Sequence, residues 1–331
     1  MTAAAGERRV LVTQVHHEAD GVVSLRLADP DGATLPAWEP GAHLDLRLPS
    51  GTVRQYSLCG DPADTTAYTV AVLREEAGRG GSAEIHDSAL VGRAVTIHGP
   101  RNRFPLVVAP GYCFVAGGIG ITPILAMVRE LAAGDVPWAL HYGGRSLRSM
   151  AFRNELAQWG RSAAGRVEFW PEDETGTLPL DEILAAAPAG TAVYTCGPPG
   201  LIRAMEERVG VAIPRGALHF ERFTGEVRPE PENPGDTENP GETVTFEVEL
   251  AQSGDVLEVS PGESILDVVR AVRPEVMSSC EEGFCGTCET KVLSGVPEHR
   301  DSILTGADRD KNATMMICVG RSKTRRLVLD L

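Results

Sequence analysis

At 331 residues and 35.3 kDa, with 42% hydrophobic and 23% charged side chains, the chain has material for two or three globular units. A lone small binding module and wholesale disorder are both excluded. Its 46 acidic against 31 basic residues give a formal charge of -15, a field that repels phosphate backbones and anionic lipid surfaces, so neither nucleic acid nor a membrane is an expected partner.

Met1 to Gly6 and Arg8-Arg9 run straight into Val10-Leu11-Val12, without the long apolar core of a secretory signal. Up to about Pro105 the texture is one of short β-branched runs: Val10 to Val15, Val22 to Leu27, His43 to Leu48, Tyr68 to Leu73 and Ala94 to His98. Gly and Pro turns separate them, which predicts an antiparallel barrel over 1–105. Phe104 to Val128 carries no charge and is long enough to span a bilayer, yet Pro105, Pro110, Gly111, Gly117, Gly118, Gly120 and Pro123 would break a spanning helix repeatedly. A strand, a turn and a helix would use each of them. Alternation then sets in, with strands at Tyr112 to Ala116, Trp138 to Tyr142, Val167 to Trp170 and Ala192 to Cys196. Helices are expected at Pro123 to Ala133, Met150 to Gln158 and Gly200 to Val209, so 106–225 reads as a parallel sheet with helical crossovers. Residues 226–242 hold four prolines, two glycines and six acids with almost nothing to bury, the composition of a linker. The tail, 243–331, reads as strands Val244 to Leu250, Val256 to Ser260, Thr290 to Leu293, Met315 to Val319 and Leu327 to Leu329 clasping a helix from about Glu263 to Val272.

Within that tail lies the most specific signal. Cys280-x4-Cys285-x2-Cys288 followed by Cys318 after a 29-residue spacer is the ligand spacing of plant-type [2Fe-2S] centres. Gly283, Gly286 and Thr287 let the loop wrap closely and aim N–H groups at sulfur. Structural zinc is the rival, but it pairs cysteines two apart on both sides of its spacer, and Cys318 stands alone. Cys59 and Cys113 read as small core residues, and the histidines show no metal spacing. An odd total of seven cysteines without an export signal points to a reducing, cytoplasmic compartment.

A one-electron centre needs a donor. Arg54-Gln55-Tyr56-Ser57-Leu58 offers a guanidinium fork, a ring and a hydroxyl at the end of the barrel pattern. Gly78-Arg79-Gly80-Gly81-Ser82 then precedes a helix start, where successive N–H groups favour an anion. Gly117-Gly118-Ile119-Gly120-Ile121-Thr122-Pro123, between strand and helix, allows close approach of a pyrophosphate, and Cys196-Gly197-Pro198-Pro199-Gly200 opens another helix on the same sheet.

Taken in order, these motifs, the cluster cysteines and His219-Phe220-Glu221-x-Phe223 resemble the phthalate dioxygenase reductase family within the wider ferredoxin–NADP reductase superfamily. The resemblance spans nearly the whole chain. It implies a flavin barrel binding FMN, an α/β domain binding NADH, and a C-terminal β-grasp domain of the plant-type ferredoxin kind that passes electrons to a terminal oxygenase, Rieske-type or cytochrome P450. FMN rather than FAD follows from the likeness alone. On matching positions, Arg54, Tyr56, Ser57, Gly80, Gly81 and Ser82 would hold the flavin. Val70, Ala71, Val72 and Leu73 would line its ring, with Thr122 and Phe223 completing the pocket. Gly118, Gly120, Cys196, Gly197 and Pro198 would face the nicotinamide nucleotide, and Ser57, Thr122 and Cys196 would be the catalytic residues. One departure concerns Arg145 and Arg148, basic groups after the strand Trp138 to Tyr142, which could welcome the 2'-phosphate of NADPH although the family favours NADH. Two other readings are weighed against this one. The electron-transfer subunit of a dihydroorotate dehydrogenase has its last two cysteines closer together, and a redox-sensing or zinc-stabilised interaction protein would carry no flavin. With one complete relay per chain, a monomer suffices.

Overall fold

The computed structural model describes residues 7–76, 78–214, 216–223, 245–304 and 306–331, and the expected linker 226–242 lies outside them. The chain divides into two compact units, Met1–Arg222 and Phe223–Leu331.

The first unit begins with an antiparallel sheet. Its elements are β1 (Glu7–Ala19), β2 (Val22–Ala28), β3 (Ala42–Arg47), β4 (Val53–Ser57), β5 (Ala67–Leu73), α1 (Gly81–Asp87) and β6 (Ala94–Asn102). The strands run in the order β4-β3-β6-β1-β2-β5. Period-two alternation sends Val10, Val12, Leu25, Leu27, Val70 and Val72 into one core, into which α1 inserts Ile85. The outer strands meet as well: a bridge pairs Leu58 with Val70, and the Cys59 N–H donates to Thr69 O at 2.9 Å. That seam closes the sheet into the expected barrel.

A parallel sheet follows, formed by β7 (Tyr112–Gly117), α2 (Ile121–Ala132), β8 (Trp138–Gly144), α3 (Arg153–Trp159), β9 (Gly165–Pro171), α4 (Glu172–Thr175), α5 (Leu180–Ala186), β10 (Ala192–Cys196), α6 (Pro199–Glu206) and β11 (Leu218–Glu221). Strand order is β11-β10-β7-β8-β9, every pair parallel. Covered on both faces, β7 is buried at all its positions, and α2 buries Ile121 to Val128 against it. The uncharged stretch Phe104–Val128 is thus a strand, a single 3-10 turn at Gly118–Gly120 and half a helix. Among the described residues no helix is long and apolar enough to cross a membrane. Helix α5 is not among the expected elements, although Asp181 and Glu182 in its first turn and Leu180, Ile183 and Leu184 on its buried face carry the signal.

The second unit contains β12 (Phe246–Leu250), β13 (Val256–Val259), α7 (Ile265–Val272), β14 (Glu289–Ser294), β15 (Pro297–Glu298), α8 (Gly306–Lys311), β16 (Thr314–Met316), β17 (Arg321–Ser322) and β18 (Arg326–Leu329). Its mixed sheet, β13-β12-β18-β14-β16, has β12 and β18 parallel at the centre and packs on α7 through Ile265, Leu266 and Val269. This is the expected grasp of one helix by a small sheet. The helix starts two residues later than the sequence suggests, because Ser264 caps it by accepting from the Asp267 N–H at 3.0 Å. The expected strand Met315 to Val319 is shorter too. After Met316 the chain turns, with the Gly320 N–H donating back to Met316 O at 2.8 Å, and this turn carries Cys318.

Candidate functional site

Three groups of side chains gather where the motifs fall. On the barrel, β4 runs from Val53 to Ser57 and delivers Arg54 beside the start of α1. Arg54 donates to Val53 O at 2.7 Å and to Arg79 O at 2.8 Å. A Cβ on Gly81 would come within 2.8 Å of Arg54 Cγ, so a side chain there would displace Arg54. Gly80, with φ 82, turns the chain into the helix, and Ser82 Oγ accepts from the Glu75 N–H at 3.0 Å. A cationic fork, free helical N–H groups and a cradle lacking side chains fit a phosphate. Tyr56 is half-buried beside them, and burial pushes its hydroxyl well above the usual range. Val70 and Val72 point into the barrel core, leaving Ala71 and Leu73 to the opposite face of β5.

At the carboxyl ends of the parallel strands, β8 lies to one side of β7 and β10 to the other, a change of direction at which such sheets bind ligands. The turns after β7 and β10 therefore meet. A Cβ on Gly120 would lie 2.3 Å from Cys196 O, and one on Gly197 would lie 2.9 Å from Gly117 Cα. Gly118 has φ 55 and open space where a side chain would be. Pro198 caps α6, and a Cβ on Gly117 would meet its Cδ at 2.7 Å. The Thr122 hydroxyl is spent within this turn, donating to Ile119 O at 3.0 Å. The Cys196 side chain is fully buried, and burial raises its thiol well above the ordinary value, so it stays a neutral thiol rather than a nucleophile.

Barrel and sheet are joined at a carboxyl group. Parallel pairing sets Glu221 on β11 beside Cys196 on β10, and Ser57 Oγ donates to Glu221 Oε2 at 3.2 Å. Antiparallel pairing sets His43 opposite Ser57, and His43 Nδ1 stands 3.9 Å from Glu221 Oε1. Burial raises the Glu221 carboxyl from 4.5 to about 8, against the smaller opposing effect of the Ser57 hydrogen bond. His43, 2% exposed, is lowered to about 3 by burial and by the charges of Arg101 and Arg103. At neutral pH a protonated carboxyl thus faces an uncharged imidazole. The sequence marks Glu221 only as part of a motif and does not mark His43 at all, because only strand register brings them to Ser57.

The basic candidates for a 2'-phosphate separate. Arg148 Nε donates to Asp20 Oδ2 at 2.9 Å, while Arg145 remains exposed with its carbonyl accepting from the Asp173 N–H at 3.2 Å. Asp173 belongs to an acidic first turn with Glu172 and Glu174. Phe223 is half-buried and is the first residue of the second unit.

In that second unit Cys280, Cys285, Cys288 and Cys318 are all buried. The Glu282 N–H donates to Cys280 Sγ at 3.4 Å, the Cys280 N–H to Cys285 Sγ at 3.4 Å and the Thr287 N–H to the same sulfur at 3.5 Å. Hydrogen bonds from the Cys285 and Cys318 thiols, and then from backbone N–H groups, pull the Cys280 thiol far down toward thiolate. Left-handed turns at Glu281, Gly283 and Gly286 curl the loop around these sulfurs. Among the described residues no three His, Cys, Asp or Glu side chains close on one shared ion, and a centre that divides four thiolates between two irons does not need them to. The donor set fits such a centre.

Residues 248–323 match the 2Fe-2S iron-sulfur cluster binding domain and residues 114–207 the oxidoreductase NAD-binding domain. The chain is 42% identical over 319 residues to phenoxybenzoate dioxygenase subunit beta of Ectopseudomonas oleovorans, covering 96% of this chain and 95% of that protein. It is 37% identical over 329 residues to phthalate dioxygenase reductase of Burkholderia cepacia, with 98% of each covered. The crystal structure of an intact type IV self-sufficient cytochrome P450 monooxygenase matches at 39% identity with a TM-score of 0.84 over 98% of this chain. The chain spans 41% of the length of that protein.

Proposed function

This chain belongs to the phthalate dioxygenase reductase family of oxygenase reductases, and from that premise we propose that it moves electrons from NADH through FMN and a [2Fe-2S] cluster to a terminal oxygenase. The observation that carries this reading is the meeting of Ser57, Cys196 and Glu221 at the seam of barrel and sheet, in the same chain as four buried cysteines. Bound FMN would supply the conversion of a hydride's electron pair into single electrons that an iron–sulfur centre can take. The family likeness favours FMN over FAD.

Each residue group has a task in that scheme. Arg54, Gly80, Gly81 and Ser82 hold the flavin phosphate. Tyr56, Ser57, Ala71 and Leu73 line its ring together with the backbone of Val70 and Val72, and Thr122 completes the pocket. Gly118, Gly120, Gly197 and Pro198 let the nicotinamide nucleotide approach the sheet, and Cys196 packs beside it as a neutral thiol. Ser57 and the protonated Glu221 keep a proton at the Oγ to Oε2 contact, within the site but away from bulk water. Cys280, Cys285, Cys288 and Cys318 ligate the irons.

NADH is favoured over NADPH because Arg148 is engaged by Asp20 and three carboxylates follow β9 beside Arg145, a charge arrangement that opposes a 2'-phosphate. The oxygenase served is a Rieske-type enzyme or a cytochrome P450, a single chain suffices for the relay, and cysteines that form no disulfide suit the cytoplasm. Anaerobic addition of NADH to the holoprotein should bleach flavin and cluster absorbance together, with NADPH doing so at least about tenfold less efficiently. An unchanged spectrum in protein shown to carry both groups would overturn the proposal.

A further inference from the structure

Cys280 is followed by a residue in an uncomfortable conformation. Glu281 is exposed and carries a side chain at φ 59, a region that glycine adopts freely and other residues seldom do. Two groups hold it there. Arg270 Nη1 on α7 donates to Glu281 Oε1 at 2.9 Å, and Ser278 Oγ donates to the same oxygen at 2.7 Å. Arg270 also donates through Nη2 to Ser278 Oγ and through Nε to Val276 O. The guanidinium thus ties three points of the segment 276–281 to one helix, whose other face is fixed in the core by Ile265, Leu266 and Val269. The consequence reaches sulfur through the backbone, because the conformation of Glu281 sets the direction of the next N–H, and the Glu282 N–H is the one that donates to Cys280 Sγ.

We infer that Arg270 and Glu281 form a clamp that positions Cys280 and its N–H to sulfur hydrogen bond, and thereby tunes and retains the iron–sulfur cluster. Arg270 is a positioning residue that acts through Glu281. The inference rests on the reading of this unit as a [2Fe-2S] domain. Hydrogen bonds to sulfur stabilise the reduced, more negative cluster, so releasing the clamp lowers the reduction potential. On the opposite side the loop has a separate support, the Ser302 N–H donating to Gly283 O at 3.0 Å, so the clamp can be released without freeing the whole loop.

The test uses full-length, cluster-loaded protein with Arg270→Met, Glu281→Ala and Glu281→Gln. Arg270→Met and Glu281→Ala are expected to lose their cluster to a chelator about ten- to a hundredfold faster than the parent and to shift the paramagnetic resonance of the reduced cluster. The potential of Arg270→Met moves in the negative direction. Glu281→Gln, whose amide oxygen still accepts both hydrogen bonds, keeps the parental loss rate and line shape. Should Arg270→Met fail to fold, Glu281→Ala, altered at an exposed side chain, decides alone. Parental loss rate and resonance in Glu281→Ala overturn the clamp, whereas parent protein without any [2Fe-2S] signal overturns the reading of the domain instead.

Discussion

Glu221 is the residue whose environment says most about the chemistry at the seam. Its carboxyl is 13% exposed and held at about 8 rather than 4.5, with burial the main cause. A group raised in this way contributes its full stability below about 4.5 and loses it as pH climbs through about 8, because the unfolded chain gives up the proton first. The thermal midpoint should therefore fall across that interval, and Glu221→Gln, which keeps a partner for Ser57, should flatten the fall. Equal slopes in parent and variant would show that the carboxyl is ionised throughout. Single residues of this kind were the least legible part of the sequence. Arg54, Gly81, Gly120 and the four cysteines announce themselves by spacing, since close backbone approach or a shared cluster demands fixed intervals. Glu221 and His43 do not, because a one-residue change of register on β3 or β11 would have moved either away from Ser57.

At the scale of elements, five of the six barrel strands could be read as β-branched runs between turns, whereas β4 could not, because four of its five residues are only half-buried. The parallel strands were readable as short apolar runs. The short helix α5 and the last strand of the parallel sheet, β11, escaped, the first for want of length and the second because it has only four residues, all half-buried. The turns after β7 and β10 have a sharper consequence. Since an added Cβ at Gly120 would collide with the Cys196 carbonyl at 2.3 Å, Gly120→Ala should push the two turns apart, costing about 1–3 kcal/mol in urea unfolding. The Michaelis constant for NADH should rise as well. Parental values for both quantities would mean that these turns are not packed as described.

For the whole molecule, the division at Arg222 leaves the oxidoreductase NAD-binding match in one unit and the 2Fe-2S cluster binding match in the other. Residues 1–222 alone should oxidise NADH with a small artificial acceptor while losing most of their ability to reduce cytochrome c, a protein that takes one electron at a time. Undiminished cytochrome c reduction by the shortened chain would remove the second unit from the route.

The bridge from Leu58 to Val70 has an effect beyond shaping a pocket. Where the end strands of a sheet meet, fewer unpaired amide and carbonyl groups face a neighbouring molecule, so this seam gives crowded copies a shorter template for stacking. A carrier that must meet its acceptor briefly and leave again gains from such reticence, since encounters through side chains alone are easily undone.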